Sequence, residues 1–401
     1  MVESTETPRI TIEKLFFSRT DHRGVIQGAN GVFADVSNYQ MSEMLGAPHK
    51  IVRHKHMPRA VFHLMWDRLK SGRPIGAYVK NLTSDGQHYW VFAFVSPVEG
   101  GYLSIRLKPL SGLLRKIEAI YTRLCKGEDD DGLGPEKGIE ALLTELSEIG
   151  FASYEAFMSN ALSEEIRARE EALNRVPVQS LSRLRRLSEL TSTIETEART
   201  VAQVFRSTDQ IPYNMRLQAG RMEGSDGPIS VISENHRQMS FAIEDDLKRF
   251  REKASLGAEL ITGAAFVAGA AYLAEEMAKQ FDGEPMVEGI DRDSEKALLI
   301  QLARSYSADT RSAVSRVVES ATELGRLCRD MRRVVSGLEM TRIMCKIERA
   351  RANGDTEGLD EIVSRLVVAE EKLSRALSEI EAAVRGALDE TETLTKIEAA
   401  A

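Results

Sequence analysis

The sequence predicts a multidomain chain: an N-terminal α+β fold, a five-stranded antiparallel sheet with helices, followed by an all-α helical hairpin and coiled-coil bundle. Three observations carry this reading. The chain has 401 residues, enough for two or three domains. Half of its Phe, Trp and Tyr residues, both tryptophans and all but one of its histidines precede residue 110, so the first quarter differs chemically from the rest. Beyond Pro109, prolines thin out and charges recur at helical spacing, which predicts long helices.

The strands come first. Residues 15–19, 24–27, 76–82, 89–97 and 102–107 are short runs rich in Val, Ile, Phe, Tyr and Trp, the residue types that suit a pleated, half-buried surface. Asp85-Gly86 and Gly100-Gly101 separate the last three and supply the positive φ of tight hairpins. Between the second and third strands, residues 59–70 read as a helix whose Ala60, Phe62, Leu64, Met65 and Leu69 pack on the sheet.

The helices follow. Leu184, Leu187, Thr191, Ile194, Ala198, Val201 and Phe205 keep an unbroken 3-4 spacing, one stripe of a coiled-coil helix. Ile232, His236, Met239, Ile243 and Phe250 continue a comparable stripe, interrupted by Asp246. The helix-breaking run Glu223-Gly224-Ser225-Asp226-Gly227-Pro228 lies between the two, so an antiparallel helical hairpin is expected. A third stripe, Leu359, Ile362, Leu366, Ala369, Leu373, Leu377, Ile380 and Val384, follows the break at Ala352-Asn353-Gly354-Asp355. The expected divisions are a flexible N-terminus at 1–14, the α+β module at 15–110, a helical connector at 111–176, a hairpin at 177–282 with its tip near 214–237, and a helical region at 283–401.

Charge and cysteine usage exclude several classes. The net charge of −8 with interspersed signs leaves no basic stripe for phosphates, so no nucleic-acid partner is expected. The three cysteines are widely spaced and include no CxxC, which argues for a reducing, cytoplasmic setting. The longest apolar stretch, 264–274, is short of the roughly 20 residues that span a bilayer, and no membrane insertion is expected. No P-loop, GxSxG, GxGxxG or HExxH is present, so no enzyme is expected.

The densest chemistry is Pro48-His49-Lys50-Ile51-Val52-Arg53-His54-Lys55-His56-Met57-Pro58. Next to aromatic strands it reads as a cationic wall for an anionic cofactor. A zinc site from His49, His54 and His56 and a solvated basic loop are the rival readings. This run, together with Asn30-Gly31-Val32-Phe33, Phe62, Trp66, Val79-Lys80-Asn81, Asp85-Gly86, His88-Tyr89-Trp90 and Ser104-Ile105-Arg106, resembles the PAS domain of bacterial aerotaxis receptors over about residues 15–108. The resemblance implies non-covalent FAD and a reading of oxygen or redox state. It also implies Asn30, Arg53, His54, Trp66, Asn81 and Trp90 as pocket residues. Lys55 and His56 depart from the family's Pro-Asp, and Ile75 from its tryptophan. His56 adds a second possibility, haem b held through His54 or His56; an empty PAS fold used for dimerisation is the third.

Asn214 to Arg221, the turn, and Ile229 to Arg237 are similar to the hairpin tip of methyl-accepting chemotaxis proteins. The resemblance implies docking of the kinase CheA and the adaptor CheW at tip residues such as Asn214, Gln218, Arg221, Glu234 and Arg237. Gln218, Asn235 and His236 depart from the family pattern. A similar fragment at Ile347-Glu348-Arg349-Ala350-Arg351 is short enough to be coincidental, so no internal repeat is expected. The expected function is a soluble PAS sensor of oxygen or redox state, homodimeric or of higher order, signalling through a chemoreceptor-like helical domain. A cofactor-free dimerisation and interaction scaffold is the alternative.

Overall fold

The computed structural model describes residues 10–130, 132–222, 227–242, 244–284, 289–351 and 357–400. Five antiparallel strands, β1 (Phe16–Asp21), β2 (Ile26–Ala29), β3 (Ile75–Leu82), β4 (His88–Val98) and β5 (Gly101–Leu107), form one sheet in the order β2-β1-β5-β4-β3. The meander expected from Asp85-Gly86 and Gly100-Gly101 is present, with Gly86 at φ 86° and Gly100 at φ 82°. Between β2 and β3 run α1 (Gly31–Ser37), α2 (Met41–Met44), a 3-10 turn at His49–Val52 and α3 (Arg59–Lys70). The α+β fold and the helical remainder are as the sequence predicts.

The helices after β5 are α4 (Leu113–Asp130), α5 (Pro135–Glu148), α6 (Tyr154–Ala172), α7 (Gln179–Thr208), α8 (Ile211–Met222), α9 (Pro228–Ala242), α10 (Glu244–Gly283), α11 (Arg292–Arg351) and α12 (Glu357–Ala400). They group differently from the divisions expected above. One compact unit holds residues 1–182 with 262–311, the other 183–261 with 312–401. The stretch expected to be a connector is part of the first unit, because the sheet's outer face is apolar and must be covered. Alternate residues of β4, Phe92 and Phe94, are fully buried on the outer face. Phe92 packs edge-on to Tyr78, which neighbours Phe157 of α6, and Phe94 meets Phe266 of α10 and Tyr306 of α11.

Residues 264–274 cover that sheet. One stretch within residues 228–283 is long and apolar enough to cross a membrane, with a mean hydropathy of 1.5 over 18 residues, half of them buried. Small Ala and Gly residues around 264–274 raise that mean without a run of large side chains. Those small residues permit close packing: a Cβ on Gly269 would stand 3.0 Å from Leu162 of α6.

The second unit is a four-helix arrangement of two hairpins. The first joins α7–α8 to α9–α10, tied by Arg216 to Glu234 at 2.7 Å and Ser255 to Glu195 at 3.4 Å. The second joins α11 to α12, tied by Arg332 to Glu381 at 2.8 Å, Arg342 to Glu370 at 2.9 Å and Arg349 to Asp360 at 2.7 Å. Lys253 to Glu323 at 2.7 Å and Arg183 to Glu390 at 2.8 Å join one hairpin to the other. Gln218 of α8 lies against Gly358 at the start of α12. The stripes on α7 and α12 are buried in this unit's core. A second hairpin thus stands where the Ile347–Arg351 fragment was read as coincidental. Residues 223–226 of the first turn, Ile243 and residues 352–356, which hold the Ala352–Asp355 break, lie outside the described residues.

Gly76 tests the covered outer face. A Cβ there would meet Phe92 at 2.8 Å and Phe266 at 2.9 Å, so Gly76→Ala forces two packed rings apart. Its expected cost is about 1–3 kcal/mol in urea unfolding; an unchanged midpoint would mean that α10 does not seal the sheet.

Candidate functional site

The inner face of the sheet, opposite the aromatic layer, bounds a cavity of about 150 Å³. Strand alternation selects its lining: Ser18 and Thr20 from β1, Val79 and Asn81 from β3, Ala93 and Val95 from β4, and Tyr102, Ser104 and Arg106 from β5. The 3-10 turn brings His49, Lys50, Val52 and Arg53, and α3 brings Phe62, Met65, Trp66 and Leu69. Gly24 closes one side at φ 79°, and a Cβ there would touch the Trp66 indole at 3.3 Å. Only glycine meets both demands.

Three of the seven residues expected to hold a cofactor line this cavity. Arg53 lies over the Phe62 ring, 3.8 Å from its centroid, and burial lowers its pKa. Trp66 meets Tyr102 edge-on at 5.4 Å. Asn81 is 2% exposed, and its Nδ2 has no hydrogen bond, although the side chain lies close enough to the buried Tyr89 hydroxyl to influence it. An unsatisfied buried amide costs roughly 1–3 kcal/mol, so a ligand acceptor at this atom is favourable.

The other four stand elsewhere. Asn30 caps α1, accepting from Phe17 N at 2.9 Å and Phe33 N at 3.2 Å and donating to Leu15 O and Glu284 Oε1. All of its polar atoms are thereby spent on the fold. His54 accepts from His56 N at 3.0 Å and faces the His56 and His88 rings. Trp90 points to the outer face, against Tyr121 at 6.1 Å, and with His56 borders a separate cleft beside α4. Among the described residues no group of three or more His, Cys, Asp or Glu is placed to hold a metal ion, and His49, His54 and His56 do not converge. Neither His54 nor His56 reaches the cavity to serve as a haem ligand there.

Ser18, His49 and Arg106 complete the polar wall. Arg106 donates to Ser18 Oγ from both Nη atoms at 3.1 Å and to His49 Nε2 at 2.6 Å. His49 also stacks on Phe33. The signal in the sequence was phase: Arg106 shares strand parity with Ser104 and Tyr102, which face inward.

The chemistry of this wall fits a flavin ring, an aromatic body with acceptor atoms at its edge: Asn81, Arg53 and Arg106 supply donors, and Trp66 and Phe62 supply apolar faces. Its volume matches a single aromatic ring, as benzene fills a cavity of about 150 Å³ in another protein. A three-ring group is larger than this volume.

At the helical tip, Glu234 accepts from Arg216, Arg237 and Gln238, and Arg237, the main cause, holds its pKa down to about 2. Asn214, Gln218, Glu234 and Arg237 are half-buried and Arg221 is exposed. His236 is buried with neither ring nitrogen bonded, and burial lowers it to about 4.

Burial first, then Arg106, pushes His49 down to about 3, and burial, then Lys80, pushes His54 down to about 4. Unfolded, both titrate near 6.5. Between those values the unfolded chain binds more protons, so their stabilisation is full above about pH 6.5 and is lost as pH falls toward 3–4. Urea midpoints should therefore fall from pH 7.5 to pH 5, less steeply in His49→Gln; an identical slope in that variant would contradict a neutral, buried His49.

Comparison with known proteins fits this geometry. A family model described as the PAS fold matches residues 27–104. The aerotaxis receptor of Escherichia coli (strain K12) is 39% identical over 131 residues, 31% of this chain and 26% of that protein. The chain therefore spans about a quarter of that relative's length. A light-oxygen-voltage domain structure from a flavin-analogue study is 20% identical, covering 29% of this chain and 87% of that one at a TM-score of 0.23. The light-oxygen-voltage protein of Rhodobacter sphaeroides is 18% identical, covering 39% and 80% at a TM-score of 0.22; scores this low carry no argument. Over residues 27–104 the chain carries a PAS domain similar in sequence to that region of the aerotaxis receptor.

Proposed function

We propose that this chain is a non-enzymatic, cytoplasmic PAS sensor that reads oxygen or redox state through FAD bound at the inner cavity and signals through its chemoreceptor-like helices. The observation that carries the reading is the cavity itself, with a cationic, hydrogen-bonding wall on one face of a sheet whose other face is tied to helices. A bound flavin would supply reversible reduction. The chain's own residues do the rest: Arg53 and Asn81 hold the edge of the group, and Trp66 and Phe62 exclude water from it. Haem b is the less favoured occupant, because His54 and His56 stand outside the cavity.

Transmission follows from alternation. Ser18 lines the cavity, and its neighbour Arg19 bonds Glu295 of α11 at 2.9 Å. Val79 and Val95 line it, while their neighbours Tyr78 and Ser96 bond Glu165 of α6 at 2.6 Å and Tyr306 of α11 at 2.7 Å. A small strand shift at the cavity therefore changes helix contacts one residue away. Helices α10 and α11 contribute residues to both units, and a two-state packing of the helices is the output. Homodimers or higher assemblies, and CheA- and CheW-type partners at the tip, complete the proposal.

The closed, one-ring volume favours a second reading, the cofactor-free scaffold. An absorption spectrum of the natively purified full chain separates the two, with the released chromophore identified. Flavin bands are expected, and Arg53→Ala should retain about tenfold less. A chain that stays colourless after FAD and haemin leaves the scaffold. In the loaded protein, Glu165→Gln should keep the spectrum yet abolish the redox-dependent change in amide exchange of α4 and α6; persistence of that change would remove Glu165 from the path.

A further inference from the structure

The cavity holds a positive charge that no carboxylate of the described residues neutralises. Three arginines of the described residues are buried: Arg68, Arg106 and Arg169. Arg68 pairs with Glu155, and Arg169 pairs with Glu170 at 2.9 Å while donating to the carbonyls of Ile12 and Glu13. Arg106, 4% exposed, pairs with no carboxylate among the described residues; its acceptors are the hydroxyl of Ser18 and the ring of His49. An arginine only donates, so His49 accepts at Nε2, carries its proton on Nδ1 and is neutral. The guanidinium also sits over the Phe33 ring, 4.9 Å from the centroid, which offers weak compensation.

A buried ion without a counter-charge costs several kcal/mol, and natural chains retain such costs where they serve a site. Arg106 faces the same cavity as the unbonded Nδ2 of Asn81, with Lys50 and Arg53 on its rim. We propose that Arg106 is the residue that selects the cavity's occupant by charge, so that the ligand presents an anionic, oxygen-bearing edge to it. This rests on the cavity being the sensor's ligand site. It goes further in assigning the ligand's polarity and the residue that reads it. Both a small aromatic carboxylate and a ring that gains negative charge on reduction meet the requirement, and the two arms of the test distinguish them.

If the purified full chain is colourless, it is titrated calorimetrically with benzoate and with benzamide, a neutral molecule of nearly the same shape and size. Benzoate should bind at least tenfold tighter in the wild type, and R106Q should bring the two within twofold. The ligand-free R106Q protein should melt no lower than the wild type, because a buried unpaired charge has gone; a purely structural arginine would lower it. If the chain carries flavin, R106Q should make the midpoint potential more negative by about 30 mV, a tenfold change for two electrons. A wild type that does not prefer benzoate, an R106Q that keeps the preference, or a flavin potential unmoved by R106Q overturns the proposal. A chain that stays colourless after FAD and shows an Arg106-dependent preference for benzoate upholds it while ending the flavin reading, and a flavin-bound chain with an unmoved potential does the reverse.

Discussion

Successive side chains of a β-strand point to opposite faces, and this sheet is buried on both. One face closes a polar cavity and the other is sealed by α4, α6, α10 and α11. Strand residues of the cavity such as Ser18, Val79 and Val95 therefore have neighbours bonded to a helix. The outer face is closely packed, as protein interiors generally are, and Arg19 and Tyr78, the strand neighbours of Ser18 and Val79, bond to helices on it.

The same constraint decides what the sequence disclosed. Strand runs and hairpin glycines were legible because their chemistry is local. The sealed outer face was not, although its trace is visible: His88 to Val95 reads HYWVFAFV, apolar almost without alternation, as strands covered on both sides do. Nothing local says which distant segment does the covering, and it comes from residues 113–172 and 262–306. For the cavity, Arg53 was legible in the basic run beside aromatic strands, whereas Trp66 and Asn81 were legible only through the resemblance to the PAS domain of aerotaxis receptors. His54 and His56 follow Arg53 closely, but the chain leaves the 3-10 turn there and aims them at His88 instead. Arg106 stands in the Ser104-Ile105-Arg106 run that carries the resemblance without being among the expected pocket residues, and its strand parity with Tyr102 and Ser104 is what places it there.

In the helical part, the stripes of α7 and α12 were legible and their partners were not. A 3-4 repeat states that a face is buried and leaves open which helix buries it. Here α7, α10, α11 and α12 contribute their apolar stripes to one buried core. The charged pairs along them fix register more than stability, since exposed ion pairs contribute roughly 0–1 kcal/mol each.

The join between sheet and helices is more polar than its apolar surroundings require. Glu165 is fully buried and pairs with no cation among the described residues; it accepts from Leu110 N at 2.6 Å, Ser111 N at 3.0 Å, Ser111 Oγ at 2.5 Å and Tyr78 Oη at 2.6 Å. Burial first, and Glu165 second, push the Tyr78 hydroxyl far up, so it remains the donor. One carboxylate thus clamps β3 to the segment where the chain leaves β5 for α4. Apolar contacts tolerate sliding because they are non-directional, whereas hydrogen bonds weaken steeply with angle. An interface meant only to hold would favour the apolar solution. A directional clamp on a buried charge converts a shift of a few tenths of an ångström into a broken or remade bond, which is the property a relay between cavity and helices needs.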